Sequence, residues 1–380
     1  MVKKRIAVLL VLCFAAALAC PARAAEFTAP LDCKSAVLME ASTGRVLYEK
    51  NADEALPPAS VTKVMTLLLV MEAIDAGKIK LDDMVPVSEH AASMGGSQVY
   101  LKVGEEMAVE EMIKCVVIAS ANDCAVALAE FVAGSEAAFV AEMNARAAAL
   151  GMQNTHFENT NGLDDTVTNH VISARDIATM SRELIRHELI LKYSSIWMDT
   201  IRGGAFGLTN TNRLVRFYSG ANGLKTGSTA KAKFCISATA KRDGMQLIAV
   251  IMAAPTRDVR NNAAKQLLDF GFANYGVYTE SGGALDPIRT TGGVKDTCPL
   301  GCGGFEAVLE KEKIAKITKR LDLPEFVRCP VSAGDVIGRV IYECDGEVVG
   351  KADIKATCDI EEIGFWGLFG RILGGFCLKG

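Results

Sequence analysis

Apolar residues recur along this chain with two periods, one typical of helices and one typical of strands. Helical spacing covers the segments 60–76, 108–119, 122–134, 135–151, 173–187 and 260–270. Strand-like apolar runs lie before this block, in a hairpin at 35–50, and after it, at 234–240 and 246–253. Strands at both ends of a helical block predict an α+β domain.

A different pattern begins after Gly282-Gly283. Short runs rich in β-branched residues, separated by turn residues, follow one another through 286–360. We therefore predict a small all-β domain at 284–362, preceded by a larger domain at 25–283.

The first 24 residues have the three parts of an export signal. Basic residues precede an apolar run at 6–20, and Ala22-Arg23-Ala24 follows with small residues at the spacing that a signal peptidase reads. We expect residues 1–24 to be a signal peptide. A lipidated Cys20, in the sequence Leu18-Ala19-Cys20, is the alternative.

The last 18 residues, 363–380, predict an amphipathic helix. Its apolar face contains Phe365, Leu368, Phe369, Ile372 and Phe376. Aromatic and basic side chains together are typical of a helix that lies in a membrane surface, so we expect this tail to be an in-plane anchor. Packing of the tail on the β domain is the alternative.

Composition restricts the class of protein. Of the 380 residues, 50% are hydrophobic and 23% are charged, which excludes a disordered chain and a polytopic membrane protein. The net charge is −4, so we expect no nucleic acid partner.

Cysteine usage leaves several states open. Two of the twelve cysteines lie within residues 1–24, so ten remain after cleavage. Six of these ten are late in the chain, at Cys298, Cys302, Cys329, Cys344, Cys358 and Cys377. Because export permits disulfides, we expect one or two in this group, with free thiols or a zinc site as the alternatives.

The first short motif with chemical meaning is Ser60-Val61-Thr62-Lys63, after a Pro-Pro-Ala break. If a helix begins near Ser60, positions three apart lie on one face, and the hydroxyl and the amine become neighbours. A serine needs a base to be a nucleophile, and a desolvated lysine supplies one. Taken alone, Ser60 also suits an ordinary helix cap.

Two further motifs follow. Ser120-Ala121-Asn122 lies between helical segments, where a turn directs a hydroxyl and an amide into a common cleft. Lys225-Thr226-Gly227, followed by Ser228, precedes the strand at 234–240 and supplies a charge, a hydroxyl and a close backbone approach. A strand edge of this composition is able to pair with an extended peptide and hold its terminal carboxylate. Separately, each motif is equally consistent with a structural turn.

In this order the three motifs resemble the set found in β-lactamases and penicillin-binding proteins. Together with the flanking stretches 57–65, 157–163 and 222–229, the chain is most similar to the low-molecular-mass penicillin-binding proteins, the serine-type D-Ala-D-Ala carboxypeptidases. The resemblance covers nearly the whole chain. It implies a transpeptidase-like domain, in which helices pack around an antiparallel sheet, followed by a small β domain and a membrane-associated tail.

The resemblance also implies a reaction and its residues. By this resemblance we expect an enzyme that removes the terminal D-alanine from peptidoglycan stem pentapeptides through an acyl-enzyme, is inhibited by β-lactams, and works at the outer face of the cytoplasmic membrane. The implied catalytic residues are Ser60, Lys63 and Ser120, and the implied substrate-binding residues are Asn122, Lys225, Thr226, Gly227 and Ser228. The backbone N–H groups of Ser60 and Ser228 form the implied oxyanion hole. Arg213 is a candidate for additional positive charge near the substrate carboxylate.

Three alternatives remain at this stage. A class A β-lactamase normally has an aspartate where Ala121 stands and uses a loop glutamate for deacylation, a role we do not assign to Glu158. An endopeptidase and a catalytically inactive wall-binding protein are the others. We interpret all four histidines as surface or loop residues, and we expect no metal and no cofactor.

Overall fold

The computed structural model of the protein describes residues 26–165 and 167–377, with side chains as far as residue 373. The expected signal peptide at 1–24 lies outside the described residues. From Leu31 onward the chain forms one compact unit.

Among the described residues the larger domain has nine strands, and five of them form its central sheet. The nine strands are β1 (Ser35–Glu40), β2 (Val46–Lys50), β3 (Met84–Pro86), β4 (Glu106–Ala108), β5 (Met198–Ile201), β6 (Phe206–Thr209), β7 (Ala221–Thr229), β8 (Lys233–Arg242) and β9 (Met245–Ala254). The sheet is antiparallel in the order β2-β1-β9-β8-β7. It joins the predicted hairpin to the two predicted late strands, and β7, which was not predicted as a strand of its own, forms one edge.

Helices cover both faces of this sheet. They are α1 (Lys63–Asp75), α2 (Glu89–Ala92), α3 (Val109–Lys114), α4 (Asn122–Ala133), α5 (Glu136–Ala149), α6 (Ala174–Leu184), α7 (Glu188–Ser194), α8 (Leu214–Phe217) and α9 (Arg257–Asn274). The caps agree with the sequence: the Ser135 side chain accepts a hydrogen bond from Ala138 N at the start of α5, and Gly134 ends α4 with a φ of +84°.

Successive side chains of β1 point to opposite faces of the central sheet. Val37 and Met39 pack in the core that also contains the buried apolar residues of α1, α4 and α6. Leu38 points the other way, toward α9, where a Cβ on Gly271 would lie 3.1 Å from the Leu38 Cδ2. Among the described residues, no single helix is long and apolar enough to cross a membrane, although the pair α4 and α5, bent by 83°, meets that test jointly.

The smaller domain is built almost entirely of strands. These are β10 (Tyr275–Glu280), β11 (Gly283–Thr291), β12 (Thr297–Cys302), β13 (Phe305–Glu310), β14 (Thr318–Asp322), β15 (Phe326–Arg328), β16 (Val336–Cys344) and β17 (Glu347–Ala356), with a short helix α10 (Lys311–Ile314). The main sheet has the order β14-β16-β17-β12-β11-β15, and β10 pairs with β13. Pairing within the β-rich part thus begins at Tyr275. The chain then continues into α11 (Phe365–Cys377).

Candidate active site

The expected nucleophile lies in a tight turn that leads into α1. Residues Ala59–Thr62 form a 3-10 helix, and the α-helix begins at Lys63. The three-residue spacing therefore places Ser60 and Lys63 side by side, as the sequence predicts, and the Lys63 Nζ lies 3.0 Å from the Ser60 Oγ. Ser60 is half-buried and Lys63 is fully buried.

The Lys63 amine has three uncharged hydrogen-bond partners. Besides the Ser60 hydroxyl, it lies 2.6 Å from the Asn122 Oδ1 and 2.8 Å from the Asn161 carbonyl oxygen. Burial lowers the pKa of Lys63 well below its usual value, and the charge of Lys225 lowers it further. A neutral amine donates its two hydrogens to the two carbonyl oxygens, which leaves its lone pair for the Ser60 hydroxyl. Lys63 is thus arranged to accept the proton of Ser60.

An irregular helix end positions Ser120 and Asn122. The π-helical turn Cys115–Ala119 ends at Ser120, whose φ of +65° lies in the left-handed region. Helix α4 then begins at Asn122, and its Nδ2 donates a hydrogen bond to the Gly95 carbonyl oxygen at 2.6 Å. This bond orients the amide so that the Oδ1 faces the Lys63 amine. Such π-turns are frequent at functional sites.

The third motif lies on the edge strand β7. Lys225 is buried, and its Nζ donates a hydrogen bond to the Ser120 Oγ at 2.8 Å, which links the third motif to the second. Burial lowers the pKa of Lys225 to about 7, and the positive charge of Arg260 contributes to the shift. The Thr226 hydroxyl donates to the Thr211 Oγ1 at 2.9 Å.

The three motifs meet at one cleft of about 220 Å³. It is lined by Ser60, Ser97, Ser120, Asn210, Thr211, Thr226, Gly227, Ser228, Arg257 and Arg260. Strand β7 lies directly against the nucleophile turn, because a Cβ on Gly227 would lie 2.7 Å from the Ser60 backbone nitrogen. Lys63 and Lys225 are hydrogen-bonded to the lining residues Ser60 and Ser120, and the Asn122 backbone nitrogen donates to the carbonyl oxygen of the lining residue Ser97. All eight expected site residues are therefore brought together.

Sequence reasoning missed the two arginines of this cleft. Arg257 and Arg260 line it, whereas Arg213 is exposed and is not among the lining residues, so the structure does not support Arg213 as the source of charge. Arg260 is 3% exposed, and its guanidinium donates to the Asn261 Oδ1 and the Cys235 carbonyl oxygen rather than to a described carboxylate. The sequence signal that could have identified Arg260 is its position on the apolar face of α9, three and four residues before Ala263 and Ala264.

Glu158 stabilises a loop. It is half-buried, and its carboxylate accepts hydrogen bonds from the backbone nitrogens of Thr168 and Asn169, both at 2.9 Å. These bonds lower the pKa of Glu158. The carboxylate is thereby engaged with backbone groups ten and eleven residues along the chain, which agrees with the structural interpretation of this residue.

His170 lies in a loop, in agreement with the interpretation of the histidines as surface or loop residues, but it is buried. It is 6% exposed, its Nε2 lies 2.8 Å from the Thr62 Oγ1, and its Nδ1 accepts a hydrogen bond from the Glu158 backbone nitrogen at 3.0 Å. Because the Thr62 hydroxyl donates to the Ala59 carbonyl oxygen, the His170 Nε2 must carry the hydrogen. Burial lowers the pKa of His170 to about 4, so the neutral ring braces the nucleophile turn.

No group of three or more His, Cys, Asp or Glu side chains is placed to hold a metal ion within residues 26–165 and 167–377.

Comparisons with known proteins agree with this geometry. The sequence profile of the peptidase S11 family, D-alanyl-D-alanine carboxypeptidase, matches residues 22–256, and the profile of the penicillin-binding protein 5 C-terminal domain matches residues 282–362. The D-alanyl-D-alanine carboxypeptidase DacF of Bacillus subtilis is 42% identical over 350 residues, which cover 90% of each protein. The D-alanyl-D-alanine carboxypeptidase DacC of Escherichia coli is 35% identical over 350 residues, covering 89% of this chain and 86% of the relative.

Solved structures show the same fold. The crystal structure of penicillin binding protein 5 from Haemophilus influenzae superimposes with a TM-score of 0.78 and 31% identity, covering 89% of this chain and all of that one. The predicted α+β fold with a C-terminal β domain is confirmed. The chain therefore belongs to the peptidase S11 family of D-alanyl-D-alanine carboxypeptidases, which are serine-type hydrolases and penicillin-binding proteins.

Proposed function

We propose that Ser60 is the nucleophile and Lys63 its general base in the D-alanyl-D-alanine carboxypeptidase reaction of this family. The observation that carries this assignment is the buried Lys63 amine, 3.0 Å from the Ser60 Oγ and bonded otherwise to two carbonyl oxygens. Burial and the nearby charge of Lys225 lower the pKa of Lys63 and so favour the neutral amine, which is the state that a base requires.

In the acylation step, Lys63 takes the Ser60 proton while the Oγ attacks the carbonyl carbon between the two terminal D-alanines of a stem peptide. The negative charge that develops on the carbonyl oxygen is stabilised by the backbone N–H groups of Ser60 and Ser228. Gly227 supports this arrangement, because only a residue without a side chain lets β7 approach the Ser60 turn so closely.

Ser120 delivers a proton to the departing D-alanine. Lys225 donates a hydrogen bond to the Ser120 Oγ, so the hydroxyl hydrogen of Ser120 is free to be donated in turn. The proton held by Lys63 replaces the one that Ser120 gives to the leaving amine. Water then attacks the acyl-enzyme, Lys63 accepts a proton from this water, and the shortened peptide is released.

The substrate carboxylate is recognised by positive charge at the far end of the cleft. Thr226 offers a hydroxyl, Lys225 lies behind it, and Arg260 is a buried guanidinium without a described carboxylate partner. A buried arginine of this kind is best satisfied by an anion that arrives with the substrate. β7 is an edge strand of the central sheet, a position that suits it to pair with the extended peptide backbone.

The proposed nucleophile is tested by intact-protein mass after incubation with benzylpenicillin. Wild type is expected to gain a persistent penicilloyl adduct, and Ser60→Ala is expected to gain none. Ser228→Ala is the matched control: it should still be acylated, because the proposal uses the backbone nitrogen of Ser228 and not its hydroxyl. Rapid loss of the drug without an adduct would instead indicate a β-lactamase, and neither adduct nor drug loss would contradict the assignment of the site.

Family membership also supports an exported location. We propose further that the protein is divided into residues 1–24, 25–283, 284–362 and 363–380 as the sequence suggests, and that the last segment attaches it to the outer face of the cytoplasmic membrane. In α11 the side chains of Phe365 and Trp366 are 73% and 79% exposed, and Leu368, Phe369, Ile372 and Leu373 are also exposed. Exposed aromatic and aliphatic side chains on one helix favour an interfacial membrane helix.

The attachment is tested by sedimentation with lipid vesicles that contain anionic headgroups. The full chain is expected to sediment with them, and a variant that ends at Glu362 is expected to stay in solution with its penicillin acylation intact. Binding of the shortened variant would exclude the tail as the anchor.

A further inference from the structure

Four cysteines of the smaller domain, Cys298, Cys302, Cys329 and Cys358, contribute to one apolar cluster that the reaction does not use, and Cys302 is opposite Ile354 of β17. Cys298 lies in β12, Cys329 follows β15, and Cys358 follows β17. Each is a free thiol in the structure, although the family works outside the cytoplasm, where disulfides persist. Which of them are placed for pairing is decided by the register of the strands.

Strands β12 and β17 are antiparallel, with Leu300 opposite Ala356. The same register continues beyond the end of β17, because the Thr357 backbone nitrogen donates to the Pro299 carbonyl oxygen at 3.0 Å. One step further, the same register would bring Cys298 opposite Cys358. Directly opposed residues of an antiparallel pair project from the same face of the sheet, so the two thiols would then face each other.

The position of Cys298 and Cys358 in this register is also the type of antiparallel pair in which the two Cα atoms are closer together. Hydrogen-bonded and non-hydrogen-bonded positions alternate along an antiparallel pair. Since Pro299 and Thr357 share a hydrogen bond, the next position, Cys298 opposite Cys358, is non-hydrogen-bonded, with Cα atoms about 4.5 Å apart. Disulfides span Cα separations of about 4.4–6.8 Å.

Cys329 is less well placed. Strand β11 lies between β12 and β15, so two strand spacings, about 10 Å, separate the backbones of Cys298 and Cys329 across the sheet. The two cysteines are also offset along β11, because Cys298 is opposite Ile288 whereas Cys329 follows the partner of Thr291. Such a distance exceeds the reach of a disulfide without backbone movement.

We propose that Cys298 and Cys358 form a cross-strand disulfide in the exported protein. The oxidant is an external disulfide, either a small molecule or an oxidoreductase. Cys358, the more exposed thiol, attacks one of its sulfurs and forms a mixed disulfide, and the displaced thiolate leaves. Cys298 then attacks the Cys358 sulfur and displaces the second thiolate, so one S–S bond breaks, one forms, and the two cysteine protons pass to the two released thiols.

The bond joins β12 to the segment that leads into the tail. Cys358 lies seven residues before Phe365, the first residue of α11. Between them, the chain is held to the domain by backbone hydrogen bonds, such as the one from the Ile363 nitrogen to the Gly292 carbonyl oxygen at 2.8 Å. A disulfide at this point would join β12 covalently to the segment that precedes the tail.

The test is peptide mapping of the full chain, purified from the exported fraction and alkylated before digestion with trypsin. The expected product is peptide 296–311 joined to peptide 356–371, with the intact protein about 2 Da lighter than its reduced form. Because peptide 296–311 also contains Cys302, two variants assign the partner. Cys302→Ser is expected to retain the linked peptide, and Cys298→Ser is expected to lose it.

A second measurement tests the stabilising effect. A cross-link that closes a loop of about 60 residues is expected to raise the thermal midpoint by roughly 10 °C, so a reductant should lower the midpoint of wild type and of Cys302→Ser but not that of Cys298→Ser. Full alkylation of Cys298 and Cys358 in the exported protein, or a link from either of them to Cys329, would overturn the proposal.

Discussion

Replacing Gly227 by alanine is expected to push the edge strand away from the nucleophile. The added Cβ would lie 2.7 Å from the Ser60 nitrogen, 2.9 Å from the Pro58 carbonyl oxygen and 2.9 Å from the Val61 nitrogen. All three are backbone atoms, which have no rotamer into which to move. Ordinary contact begins at 3.4 Å, so β7 and the turn must separate by roughly 0.5–0.7 Å, the difference between these distances.

The separation acts more strongly on the reaction than on the fold. Overpacking of this kind costs about 1–3 kcal/mol of unfolding free energy. Misplacement of reacting groups by about 1 Å costs about 100-fold in rate, so a shift of somewhat more than half that distance is expected to slow acylation by at least about 10-fold. The oxyanion donors at Ser60 and Ser228 lie on the two elements that separate, which is why both are affected by one methyl group.

The assay is the second-order rate constant for acylation by a fluorescent penicillin, measured beside the thermal midpoint. Gly207→Ala in β6 is the matched control, because nothing lies within 4 Å of a Cβ at that position. The control is expected to acylate at the wild-type rate. If Gly227→Ala is folded and also acylates at the wild-type rate, β7 does not form the reacting wall of the cleft, and the assignment of the oxyanion hole is wrong.

Three further predictions concern the titratable groups of the site. The pH profile of kcat/KM for a D-Ala-D-Ala peptide should be bell-shaped, because activity falls at low pH as Lys63 is protonated and falls above about pH 7 as Lys225 loses its charge. A profile without the alkaline limb would contradict the role of Lys225. Arg260→Gln should raise KM by about 10-fold or more through loss of a charge-assisted hydrogen bond to the substrate carboxylate. The variant should also move the alkaline limb to higher pH, because the positive charge that lowers the Lys225 pKa is gone. An unchanged KM would exclude Arg260 from carboxylate binding. The pKa of His170 is about 4 in the folded protein and 6.5 for the free side chain, so the free energy of unfolding is unaffected by its titration above pH 6.5 and decreases as the pH falls toward 4, by up to about 3 kcal/mol. Urea titrations should show this acid-dependent loss of stability in wild type but not in His170→Gln.

Local patterns in the chain were sufficient to predict most of the elements. The helical segment that contains Ser60 and Lys63, the caps at Ser135 and Gly134, and the strand pair β8–β9 follow from short-range spacing, because capping groups and turn residues act within a few positions. The α-helix expected from Ser60 begins instead at Lys63, after a 3-10 turn. The three short motifs were also visible, and their chemistry follows from the residue types alone. For the same reason, β7 was not predicted: its buried Lys225 and Thr226 interrupt the apolar pattern that marks a strand.

What the sequence determined by itself was thus the set of candidate reactive groups and the local helical structure that places the serine and the lysine one turn apart. What only the tertiary structure decided was which uncharged oxygens surround Lys63, that Lys225 reaches Ser120, and that Arg260 rather than Arg213 lines the cleft. These contacts join residues 59, 98 and 105 positions apart. Burial and pKa depend on everything packed around a group, so they exist only once the sheet and the helices have met.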